Sequence, residues 1–132
     1  MRVPDVPPPT LQPLRIPAGW FINWNTLLEL DPADAEGGAF GGSSLFRATN
    51  EQGRFLIDVE WRPEFDPEGS YRLCVEYAPW ERDERGRRRK DLPLHFRDAE
   101  VVHRFETRAR SELVRELEAW LWRGATWVRE GH

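Results

Sequence analysis

The sequence predicts an α+β fold: an antiparallel meander of about five or six strands with one C-terminal amphipathic helix packed on one face. Three observations carry this. Apolar residues alternate strictly over several separate stretches, turn residues stand between those stretches, and a single apolar stripe of helical period closes the chain. The organisation expected is an extended Pro-rich arm over residues 1–13 and a single domain over 14–132.

The arm holds five of the eleven prolines, including Pro7, Pro8 and Pro9. Proline fixes φ and removes a donor, so this segment is read as a chain draped over the surface. From Trp20 to Leu30 the even positions Trp20, Ile22, Trp24, Thr26, Leu28 and Leu30 predict one long strand. Its even face would be buried, and Asn23, Asn25 and Glu29 would lie on the outer face with Phe21 and Leu27. The glycines at 37, 38, 41 and 42 predict a loop. Neither a lysine nor a following helix is present to make that loop a phosphate cradle.

Leu45 to Thr49 reads as a short strand. Phe55, Ile57, Val59 and Trp61 alternate with Arg54, Asp58, Glu60 and Arg62, and Tyr71, Leu73, Val75 and Tyr77 with Arg72, Cys74 and Glu76. Between them Asp66-Pro67-Glu68-Gly69 has the residue order of a type I turn. Residues 80–90 carry nine charges in eleven positions and predict a mobile, solvated loop. Leu92, Leu94 and Phe96, then Val101, His103 and Phe105, predict one or two further strands. A helix is expected from about Arg108 to Arg123, with Thr107 or Ser111 as N-cap and Gly124 ending it. Leu113, Val114, Leu117, Trp120 and Leu121 form its sheet-facing stripe.

At 132 residues, 39% of them hydrophobic, the chain can bury a core without staples, and its lone Cys74 excludes a disulfide framework within the chain. No run reaches the ~18 apolar residues of a membrane span, and no signal peptide is visible, so the expected compartment is the cytoplasm, with no membrane partner. Eighteen arginines accompany one lysine, a bias that reads as codon usage rather than phosphate binding. Residues 1–80 carry twelve acids and six bases, net −6, and residues 81–132 eleven acids and thirteen bases, net +2, which gives the whole chain −4. Such a balance argues against a nucleic-acid partner and suits a basic protein.

No catalytic, metal or cofactor signature is present, so no cofactor and no enzymatic activity are expected. His95 and His103 match no compact ligand spacing. Asp58 and Glu60 share one face of a strand, about 6.8 Å apart, which permits acid–base cooperation but equally describes a solvated sheet face. Seven tryptophans are an excess. Trp20, Trp24, Trp61 and Trp120 are assigned inward, which leaves Trp80, Trp122 and Trp127 as candidates for a partner surface. With them stand the outer-face residues Asn23, Asn25, Glu29, Asp58 and Glu60 and the turn acids Glu64, Asp66 and Glu68.

The succession Ile16-Pro17-Ala18-Gly19-Trp20, then Val59-Glu60-Trp61-Arg62-Pro63 with Asp66 to Leu73, then Phe105-Glu106-Thr107-Arg108, resembles small bacterial immunity-type proteins of toxin–immunity loci. The resemblance spans residues 16 to 121. It implies an α+β binding protein that neutralises a toxin by direct contact, and it carries over no catalytic residue. Two alternatives accompany it: a small hydrolase or transferase built on Asp58, Glu60, His95 or His103, and a non-catalytic subunit of a bacterial assembly tethered by the proline arm.

Overall fold

The computed structural model of the chain describes residues 10–34, 41–42 and 44–130. Five strands, β1 (Phe21–Asn25), β2 (Phe46–Asn50), β3 (Phe55–Arg62), β4 (Ser70–Tyr77) and β5 (Glu100–Thr107), precede one helix, α1 (Arg110–Arg129). The strands form one open antiparallel sheet in the order β1-β2-β3-β4-β5, the predicted meander.

The inner face of the sheet is the core. Phe46, Ala48, Ile57, Val59, Trp61, Tyr71, Leu73 and Val75 are buried there with Leu113, Leu117 and Leu121 of the helix stripe. One helical face thereby covers one sheet face, and among the described residues no helix or strand lies over the other, which is called the bare face below. Tyr71 Oη donates to Asp31 Oδ1 at 2.6 Å, and Arg110 Nη1 donates to the same oxygen at 2.9 Å. Strand, loop and first helical turn are thus tied at one half-buried carboxylate.

The predicted strand from Trp20 to Leu30 is shorter and changes face midway. Ile22 pairs with Ala48 and Trp24 with Arg47, so Asn23 is an extra residue that makes a β-bulge. Beyond it the parity is reversed: Trp24 is 51% exposed and Leu27 is buried. Asn25 pairs with Phe46 and therefore belongs to the inner side, contrary to expectation. Its Oδ1 accepts from the Leu27 amide at 3.2 Å and so holds the chain just past the bulge.

The helix also differs from its expected span, running through Gly124 instead of ending there. Trp20 lies against that glycine: a Cβ at 124 would stand 2.5 Å from Trp20 Cζ2. The glycine serves close packing, not termination. Neither Thr107 nor Ser111 is the N-cap. Ala109 holds that position, while Thr107 Oγ1 accepts from the Ala109 amide at 3.0 Å and donates to Glu112 at 2.8 Å.

Residues 91–99 form no strand, although Leu92, Leu94 and Phe96 alternate in burial. Residues 81–90 fold back on themselves as a small exposed hairpin in place of a loose loop. Arg82 bridges Arg88, and Asp83 Oδ1 accepts from the amides of Arg85 and Arg87, each at 2.9 Å. The turn at 66–69 is as expected, with the Gly69 amide donating to the Asp66 carbonyl at 2.9 Å. Of the proline arm, residues 10–12 lie beside 27–29, with Leu11 bridging Leu28, and residues 1–9 fall outside the described part. Most of the expected glycine loop, 35–40 and 43, falls outside it as well.

Candidate interaction surface

The bare face of the sheet is built by strand parity and register. One row crosses it as Trp24, Arg47, Asp58, Cys74 and Arg104, a second as Glu60, Arg72 and Glu106, and a third as Phe21, Thr49, Leu56, Glu76 and Val101. The twist of the sheet makes the middle of this face concave, with a cavity of about 590 Å³. Within it Arg47, Arg72 and Arg104 alternate with Asp58, Glu60, Glu76 and Glu106. Glu60 stands 3.2 Å from Arg62, and Glu106 accepts from Ser70 Oγ at 2.7 Å with Arg72 at 3.9 Å.

Asp58 is the perturbed acid of this face. Burial, and then the neighbouring Glu60, push its carboxyl up to about 6, with Arg47 opposing. The thiol of Cys74 beside it is held above its ordinary range, by burial first and then by Glu76. A cysteine so placed keeps its proton and is a poor nucleophile.

A carboxyl whose pKa is raised by folding is stabilised as the acid and costs stability when ionised. The native state therefore holds more protons than the unfolded chain between pH ~4 and ~6, and stability falls as pH rises across that window. Asp58→Asn is expected to raise the unfolding free energy by about 1–2 kcal/mol at pH 7.5, a figure reduced for partial solvent screening, and to change little at pH 4. Urea unfolding at the two pH values measures the difference; equal stability at both would contradict the burial of that charge.

The structure brings Asn23, Asp58 and Glu60 to this face. Asn23 Oδ1 accepts from Thr49 Oγ1 at 3.2 Å. The turn acids continue one end of it: Glu64 and Glu68 are exposed, whereas Asp66 is half-buried and accepts from the Glu68 amide at 2.9 Å. The other candidates lie elsewhere. Asn25 is on the inner side, and Glu29 accepts from Thr10 beside the arm at 2.8 Å. Trp127 packs edge-on against Phe55 and Tyr77, at 6.0 and 6.2 Å, as part of the core margin. Trp80 is half-buried under the guanidinium of Arg54, 4.1 Å from the ring centre, at the end of the sheet opposite the acidic turn. Trp122 is 58% exposed on the helix, with Arg129 over its ring.

Two aromatics stand at the β1 margin of the bare face, Phe21 as its parity predicts and Trp24 against its predicted inward placement. Phe21 is 66% exposed, and Trp24, expected inside, is anchored there by Nε1 donating to the Ser44 carbonyl at 3.0 Å. Leu27, an apolar residue at an odd position beside an even-phased stripe, is a sequence signal compatible with a change of parity but does not require one.

The carboxylate–histidine site considered from sequence is not assembled. Asp58 and Glu60 lie on the outer face, while His103 lies on the inner face, 2.8 Å from Glu116 and stacked on Trp120. His95 belongs to a separate cleft of about 160 Å³ with Arg54, Arg89 and Asp98. Among the described residues no group of three or more His, Cys, Asp or Glu side chains could hold a metal, and no helix is long and apolar enough to cross a membrane. Comparison of the chain with protein-family models, with curated proteins and with solved structures gave no match.

Proposed function

We propose that this chain is a non-catalytic binding protein of the immunity type, which holds a toxin domain against the bare face of its sheet. The observation that carries the reading is the exposed pair Phe21 and Trp24 beside the concave, charge-laced centre of that face. Aromatic anchors next to arginines supply most of the energy in protein interfaces, and a face left open by α1 is available to a partner. The acidic turn residues Glu64 and Glu68, with the net charge of −4, favour a basic partner and a salt-sensitive association rate. A toxin acting inside the cell would be met in the cytoplasm.

The test is co-purification with the product of the adjacent gene, and rescue of cells that express that product. Trp24→Ala and Phe21→Ala are each expected to weaken the complex by about 30-fold, the ~2 kcal/mol of an interface anchor, without altering the circular dichroism spectrum. No complex and no rescue removes the immunity reading. A complex indifferent to both substitutions removes the assignment to this face.

A further inference from the structure

We propose that two copies of this chain join edge to edge through β5, about a twofold axis at Phe105, so that two five-stranded sheets become one continuous sheet. β4 occupies one side of β5, and no described residue hydrogen-bonds the backbone on its other side. An edge of eight residues, Glu100–Thr107, offers a row of unpaired N–H and C=O groups to another strand. The opposite edge is less inviting. Just beyond β1, arm residues 10–12 already bond to residues 27 and 29.

The charges on β5 select both the partner and the register. A twofold axis through the sheet pairs residues of like parity, so each position faces one on the same side of the sheet. Centred on Phe105, the pairing sets Arg104 opposite Glu106 of the second copy and Glu106 opposite its Arg104, two cross-strand ion pairs on the outer face. A shift of the centre to 104 or to 106 sets arginine against arginine or glutamate against glutamate. Shifts toward the start of the strand are blocked by the bulge that falls between the partners of Val75 and Glu76.

The resulting outer row reads Arg47, Asp58, Cys74, Arg104 from one copy and Glu106, Arg72, Glu60 from the other. Its charges alternate in sign across the junction, apart from the neutral cysteine. On the inner face the half-buried Phe105 meets its own counterpart, and the stacked His103 and Trp120 stand close to the axis. A self-complementary patch of this kind is what a twofold contact requires.

The mass of the unmodified chain, followed by sedimentation from about 1 µM to about 500 µM, should move from monomer to dimer. Arg104→Glu makes both interface residues acidic, and Glu106→Arg makes both basic; each should raise the dissociation constant by at least about tenfold. Mixing the two variants restores both ion pairs, so a heterodimer should form at concentrations where each alone is monomeric. Hydrogen exchange of the amides of residues 103–107 that face away from β4, measured in the unmodified chain, gives a readout independent of how the variants fold, and it should slow as concentration rises. A monomer at every concentration with unchanged exchange overturns the pairing and leaves the edge to a strand of another protein. Variants that dimerise as well as the parent overturn the register.

Discussion

Trp61→Ala is expected to lower the unfolding free energy by about 3–5 kcal/mol, a large share of the 5–15 kcal/mol typical of a domain. Trp61 is fully buried on β3 and meets Tyr71 edge-on at 4.9 Å. Its Nε1 donates to the Asp66 carbonyl at 2.8 Å, which ties the β3–β4 turn to the core. Two glycines press against the same indole: a Cβ at Gly41 would stand 2.6 Å from its Cδ1, and one at Gly69 the same distance from its Nε1. The cavity left by alanine therefore lies beneath two backbone segments that were shaped to the ring, and it cannot close without moving both. Urea unfolding should show the midpoint falling with little change in slope. Trp61→Phe, which keeps a ring but loses the donor, should cost about 1–3 kcal/mol. A loss below 1 kcal/mol for the alanine variant would show that the turn closes over the gap.

Gly124→Leu is expected to cost at least about 3 kcal/mol, although leucine is much the better helix former. An ordinary helical glycine replaced by alanine gains about 1 kcal/mol, because the unfolded chain loses freedom it would otherwise have to surrender. Here the added carbon meets Trp20, and that ring is fixed by Nε1 donating to the Leu121 carbonyl at 2.8 Å. Alanine at 124 should thus destabilise by about 1–2 kcal/mol. Making room should rescue it. The pair Trp20→Leu with Gly124→Ala should be more stable than the sum of the two single losses predicts, with a coupling of about 1 kcal/mol or more. Strict additivity would mean that the ring moves aside freely.

The meander and the helix were legible because their signals are local: β3, β4 and the turn at 66–69 follow from parity and turn residues within a few positions of one another. Leu92, Leu94 and Phe96 show the limit of that signal. Alternation reports which side chains are covered, not whether a backbone partner exists, and residues 91–99 are alternately covered without a ladder. Gly124 reads as a helix end in the sequence because glycine has two uses, and only the position of Trp20, 104 residues earlier, distinguishes them. Parity alone places Asp58 and Glu60 on the outer face. That Arg47, Cys74 and Arg104 join Asp58 in one row depends on the register of three strand pairs, which no single segment contains.

The extra residue in β1 acts as a phase switch between the two layers of the molecule. Because Asn23 is unpaired, Trp24 stands outside and Leu27 stands inside. Neither placement can change alone, since a strand ironed flat would pull the indole into the interior and drive the leucine into water in one motion. The exposed aromatic proposed as a partner anchor is in this way geared to a side chain of the core. The surface at that margin cannot slip by one position while the protein stays folded, and the orientation of whatever docks there is set by the interior.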